Sequence, residues 1–183
     1  KGKDFLEIEL EKIQQSGISL DEDICGVMLE TFQGWGAVFY PEDFVKAIKE
    51  ICKRNSILLT FDEMQSGFAR TGKKFGYEHY NVKADLLCCG KGIASGFPLS
   101  AVIGTKEIMD LPDVGNMSST HSANPVVCAA GIATLEEIER LELVKEAERK
   151  GRILFNQLNE LKNRYPERIN YILGKGLIAS VVF

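Results

Sequence analysis

The sequence predicts an α/β protein of three layers, α/β/α, around a largely parallel sheet, and three observations carry that expectation. Short, nearly continuous apolar runs at residues 24–29, 57–61 and 85–89 have the character of strands buried on both faces. A stretch of helical periodicity separates the first two, as a crossover helix between parallel strands would. Each run ends in polar or glycine-rich residues, at 30–36, 62–63 and 90–92. In such folds ligands collect beyond the carboxyl ends of the strands.

The elements follow in order. Leu6, Leu10 and Ile13 fall at helical spacing between charges, and Gly17 closes that amphipathic helix. The first strand, 24–29, leads into Glu30 at its carboxyl end. Pro41 suits a helix N1 position, Glu42 and Asp43 load the first turn with negative charge, and Phe44, Ile48 and Ile51 make the apolar face before Lys53-Arg54-Asn55. The next strand, 57–61, ends in Asp62-Glu63, the third ends in Gly90-Lys91-Gly92, and a fourth apolar run covers 101–103. From Asn124-Pro125 the pattern turns helical. A longer amphipathic stretch runs from about 141 to 161, with Leu143, Ala147, Leu154, Leu158 and Leu161 on its apolar side, and a last apolar strand opens after Gly174-Lys175-Gly176.

The 183 residues, 45% of them hydrophobic, can bury one domain or one and a fraction. The net charge of −4 comes from interspersed charges of both signs, so no basic footprint for nucleic acid is present. No apolar stretch has the roughly 18 residues of a membrane helix. The five cysteines are odd in number and contain no C-x-x-C pair, which predicts reduced core thiols and a cytoplasmic protein. His79 and His121 lack ligand spacing, so no metal site is expected. The chain has no initiator Met and stops in the middle of an apolar strand, and it is read as a piece of a longer protein.

Two residues stand out chemically. Asp62 emerges from a strand, where burial of a lone carboxylate is costly, so it is a helix cap, a surface acid beside Glu63 or the partner of a cationic ligand group. Lys91 follows an uncharged strand end and lies between two glycines. An ammonium partly desolvated there loses pKa and becomes a nucleophilic amine able to condense with an aldehyde; the alternative is a solvated loop lysine. A P-loop is excluded, because Leu87-Cys88-Cys89-Gly90-Lys91-Gly92 lacks its glycine spacing.

Four blocks of sequence turn these hints into a resemblance. Residues 58–72, LLTFDEMQSGFARTG, are similar to L-I-x-D-E-V-Q-T-G-F-G-R-T-G; residues 85–91 with Gly96-Phe97-Pro98-Leu99-Ser100-Ala101 resemble a cofactor-lysine segment; Glu30-Thr31-Phe32-Gln33-Gly34 is similar to E-P-x-Q-G; and 119–125, STHSANP, to S-T-F-G-G-N-P. All are marks of the class III aminotransferases, the group of the 4-aminobutyrate, ornithine and acetylornithine enzymes. The resemblance covers roughly residues 24 to 180.

It implies a fold type I transferase dependent on pyridoxal 5′-phosphate, with residues 1–140 forming the C-terminal part of the large cofactor domain and 141–183 a linking helix and the beginning of a small C-terminal domain. The implied activity is transamination between an amino acid or ω-amine and a 2-oxo acid, the rivals being an aminomutase or decarboxylase on the same scaffold, or an inactive fragment. Lys91 would carry the cofactor as a Schiff base and move the substrate proton. Asp62 would keep the pyridine nitrogen protonated, Gln65 would bond near the phenolic oxygen, and Thr120 would reach the phosphate of the neighbouring subunit's cofactor, which implies a homodimer. Glu30 would act toward the substrate. The sequence departs from the family pattern at Thr31, where Pro is usual, at Trp35, where an acid is common, and at His121, where an aromatic is usual.

Overall fold

The computed structural model describes residues 2–183. Its first helix, α1 (Gly2–Gln15), ends before Gly17, whose φ of +89° is the left-handed turn that glycine adopts readily. Strand β1 (Gly26–Glu30) follows, then a small antiparallel hairpin of β2 (Phe32–Gln33) and β3 (Val38–Phe39). Helix α2 (Glu42–Arg54) has Glu42 and Asp43 in its first turn and Lys53 and Arg54 in its last, each complementing the helix dipole; Pro41 caps it from just outside. Strand β4 (Leu58–Asp62), a 3-10 turn at Gly76–Tyr80, strand β5 (Leu86–Cys89), a second 3-10 turn at Lys91–Ala94 and strand β6 (Ala101–Gly104) complete the sheet region. Then come the short α3 (Lys106–Met109), α4 (Pro125–Arg140), α5 (Leu143–Arg164) and the hairpin of β7 (Tyr171–Lys175) and β8 (Ile178–Val182).

The sheet has the order β1-β4-β5-β6. The first three strands are parallel and β6 runs antiparallel to β5, so the α/β class with a largely parallel sheet is what the chain adopts. Coverage is unequal. Leu59 and Phe61 on one face of β4 are fully buried against Val45, Ile48 and Cys52 of α2 and against Tyr80, whereas Leu58 and Thr60 on the other face are half-buried and Met28 of β1 is 57% exposed.

Some expectations shift. The buried face of α2 is centred on Val45, Ile48 and Cys52 rather than on Phe44 and Ile51. Phe44 turns aside to stack on Tyr40, 5.7 Å between ring centres. Of the five free cysteines only Cys52 and Cys89 are buried, and Cys25, just before β1, is exposed.

Close contacts tie these elements to one another and to the sheet region. The Tyr80 hydroxyl donates to the Thr31 carbonyl (2.5 Å) and accepts from the Tyr40 amide (3.0 Å), spanning both flanks of the β2–β3 hairpin. Gly151 of α5 packs directly on Gly176, the turn of the last hairpin, so that a side-chain carbon at 151 would lie 2.5 Å from the Gly176 carbonyl oxygen. The same turn is tied to the loop after β4 by the Leu177 amide, which donates to the Arg70 carbonyl at 3.0 Å.

Candidate active site

The strand register brings the predicted residues together. Glu30 ends β1 and pairs with Asp62, which ends β4 and pairs in turn with Cys88 of β5. Lys91 lies just beyond β5, so the sheet itself aligns these groups along one edge. They line a crevice of about 30 Å³ with Thr31, Met64 and Gln65. A wider groove of about 830 Å³ shares Met64, Gln65 and Lys91 and continues past Phe68 and Thr134. A volume of that order suits a small-molecule ligand.

Local backbone chemistry fixes each group. Asp62 is half-buried, and its Oδ1 accepts from the Met64 amide at 2.9 Å, an Asx turn that steers the chain away from the strand. A side-chain carbon at position 90 would meet the Met64 sulfur, so Gly90 lets the Met64 side chain keep its place. Gly34 has the same role for Gln65, whose Oε1 would lie 2.7 Å from any Cβ at that position. Lys91 adopts φ +44°, a left-handed conformation that a lysine takes only when its surroundings hold it there. Its side chain is exposed, so the desolvation expected from its apolar neighbours in sequence does not hold in space. Burial pushes the Cys89 thiol up to about 11 and, with the Asp62 charge, raises Cys88 as well. Both stay protonated near neutrality and are poor nucleophiles, and neither lines the crevice, where Lys91 supplies the primary amine.

Thr120 is not part of this cluster. It is exposed within 115–123, a turn-rich segment ahead of α4, as is His121. Trp35 stands 83% exposed at the tip of the β2–β3 hairpin. The sequence reading passed over Glu63, which is fully buried. Its carboxylate accepts from the Thr31 and Ser66 hydroxyls, both at 2.6 Å, and from the amides of Gly76 (2.8 Å) and Tyr77 (2.7 Å). Its signal in the sequence is its match to the Glu of the D-E pair in the 58–72 block, and Thr31, a departure from the family pattern, supplies one of those hydroxyls.

The model of the class III aminotransferases matches residues 2–183, the whole described chain. The chain belongs to the class III aminotransferase family. This class III chain is 37% identical over 177 residues to the acetylornithine aminotransferase of Caldanaerobacter subterraneus subsp. tengcongensis, covering 96% of the chain and 44% of that protein. It is 45% identical over 161 residues to the alanine/serine racemase of Pyrococcus horikoshii, covering 87% of the chain and 34% of that protein. Among solved structures, an S-selective transaminase from Arthrobacter sp. with alanine bound superposes with a TM-score of 0.87 at 33% identity, over 96% of the chain and 37% of that structure. The class III chain thus spans well under half the length of these relatives.

The family's cofactor is pyridoxal 5′-phosphate, and the donor set of the crevice fits it. A primary amine suits its aldehyde, a carboxylate at a strand end suits a protonated ring nitrogen, and a carboxamide suits the phenolic oxygen. The glycines at 34 and 90 keep the loops around these groups free of side chains that would displace Gln65 and Met64. Among the described residues there is no cluster of His, Cys, Asp or Glu able to hold a metal ion, and no helix long and apolar enough to cross a membrane.

Proposed function

We propose that the chain is the cofactor-anchoring part of a pyridoxal-phosphate-dependent aminotransferase that moves an amino group between an amino acid or ω-amine and a 2-oxo acid. The observation that carries this reading is the convergence of Lys91, Asp62 and Gln65 at one sheet edge, with Glu30 in register beside Asp62. When bound, the cofactor supplies an electron sink for the carbanion left by deprotonation of the substrate carbon. The Lys91 amine would hold the cofactor through its aldehyde and, when free, would accept at Nζ the proton from the substrate carbon and return it. The Asp62 carboxylate would favour the protonated form of the ring nitrogen. Gln65 would hold the phenolic oxygen, and Glu30 would act toward the substrate. Thr120 reaches the phosphate held by a neighbouring subunit, which makes the assembly a homodimer with shared sites; its exposed position is compatible with that role.

The same proposal divides the chain into the cofactor-domain part, 1–140, and a linking helix with the start of a small domain, 141–183. The left-handed backbone at Glu142, φ +48°, between α4 and α5 supports that boundary. A cytoplasmic location belongs to the proposal and rests on the five free cysteines.

The test is reduction of the cofactor-loaded, full-length protein with borohydride followed by peptide mapping. The label is expected on Lys91, and a label on another lysine overturns the assignment. A second reading, racemisation, is favoured by the 45% identity to an alanine/serine racemase. It requires an acid, Lys91 or a second group, to return a proton to the opposite face of the same substrate carbon. Inversion of an amino acid without consumption of any 2-oxo acid would select it over transamination. For the dimer, a monomer that turns over at full rate in sedimentation-matched assays would rule it out.

A further inference from the structure

Glu63 is a fully buried carboxylate that the chemistry above does not use. Glu63 is adjacent in sequence to Asp62, and the two-residue repeat of an extended chain turns the two carboxylates to different sides: Asp62 lines the crevice, whereas Glu63 is 0% exposed. A buried carboxylate is costly unless its oxygens are satisfied. Here each oxygen accepts two bonds. Oε1 takes the Thr31 hydroxyl and the Tyr77 amide; Oε2 takes the Ser66 hydroxyl and the Gly76 amide. None of these partners is a cation, so four oriented dipoles do the compensating.

The four donors come from three separate pieces of chain. Thr31 directly follows Glu30 at the end of β1, Ser66 directly follows Gln65 in the turn after β4, and Gly76 and Tyr77 belong to the 3-10 turn that packs beneath. The fit is tight as well as polar, since a side-chain carbon at Gly76 would lie 2.7 Å from both Ser66 Cβ and Thr31 Cγ2. Glu63 therefore grips the immediate neighbours of Glu30 and Gln65, and it is itself the neighbour of Asp62.

We propose that Glu63 is the positioning residue of this site: its carboxylate locks the ends of β1 and β4 to the 76–77 turn and thereby fixes Glu30, Asp62 and Gln65 relative to Lys91, with the Thr31 hydroxyl as a chain-specific component of that lock. The effect on turnover rests on the transaminase reading; the lock itself does not. Glu63 touches none of the reacting atoms and acts through the residues on either side of it.

The informative variant is Thr31→Val, because it keeps the shape and removes one donor, whereas Glu63→Gln sets an amide N–H₂ against the N–H and O–H donors and is the harsher companion. In hydrogen exchange on the full-length protein, Thr31→Val is expected to raise deuterium uptake at least threefold together in peptides covering 30–34, 64–68 and 75–78, with α5 and β7–β8 unchanged, while Thr31→Ser retains protection. In steady-state assays kcat is expected to fall about tenfold with KM within about twofold, and Thr31→Ser to restore it. Uptake that rises only at 30–34, or not at all, overturns the lock. Increased uptake in all three peptides with unchanged kcat overturns the link to positioning. If the unsubstituted protein shows no turnover with any amino donor, the transaminase reading fails, and the exchange measurement still decides whether Glu63 couples the three segments.

Discussion

Replacing Tyr80 by Phe removes one oxygen from the core and leaves the ring in place. The ring is part of a residue 3% exposed and lies 6.3 Å from the Phe61 ring, contacts that Phe retains. What disappears is the hydroxyl that donates to the Thr31 carbonyl and accepts from the Tyr40 amide. Thr31 is fully buried, so water cannot replace the donor, and the orphaned carbonyl costs about 1–3 kcal/mol. Tyr40 is only half-buried and its amide regains part of its hydration, adding about 1 kcal/mol. The expected loss is therefore about 2–4 kcal/mol, read from the shift in urea midpoint at constant slope. pH gives an independent axis. Burial, foremost, pushes the Tyr80 phenol well above its ordinary value of 10.0. The folded protein thus holds this proton more tightly than the unfolded chain does. The associated stability is complete below about pH 10 and is lost as the pH rises through the raised folded value. The advantage over the Phe variant should be flat from about pH 6 to pH 9 and shrink above about pH 10. A difference under about 0.5 kcal/mol, within the range of an ordinary surface change, would refute the reasoning, as would an advantage that grows in alkali.

Three further outcomes follow from other sites. Burial first, then the charge on Lys175, holds His79 below its ordinary 6.5 against the opposing hydrogen bond to the Thr71 carbonyl; its share of stability is present above about pH 6.5 and lost as the pH falls, so unfolding midpoints of His79→Gln should vary less between pH 7 and pH 5 than those of the parent. Gly151→Ala drives a methyl into the Gly176 backbone and should cost about 1–3 kcal/mol in urea while speeding tryptic cleavage between α5 and β7; unaltered cleavage would count against that packing. Asp62→Asn keeps the size of the side chain and its acceptor for the Met64 amide but loses the charge, and on the transaminase reading kcat should drop about 10²–10³-fold with the protein still folded, measured in single-turnover half-reactions.

The strands were legible because continuous apolar runs are the direct consequence of burial in a parallel sheet, and the edge where Glu30, Asp62 and Lys91 meet followed from strand ends alone. Direction was not legible for β6, since three apolar residues carry no orientation. The β2–β3 hairpin escaped because its strands are two residues each. Lys91 misled in the opposite sense: its sequence neighbours are uncharged, yet solvent access depends on what folds over the side chain. Glu63 was read as an acid beside Asp62, because half of its donors are backbone amides more than ten residues away and every residue type except Pro carries an amide. The fully buried face of α2 lies one position on from the expected one, and Phe44 packs at the margin of the core against a second aromatic, Tyr40.

The β2–β3 hairpin has an implication for anyone who wishes to diversify this scaffold. Its base is fastened from both flanks by the Tyr80 hydroxyl, and Phe32, 2% exposed, lies 5.2 Å from Phe39, whereas Trp35 projects into solvent at the tip. Gly34, between them, is held free of a side chain by Gln65. A mutational library confined to position 35 samples new side chains in solvent at almost no thermodynamic penalty. One that also randomises 31, 32, 34 or 39 spends most of its members on unfolded protein. Tolerance to innovation is thus concentrated in a single exposed indole.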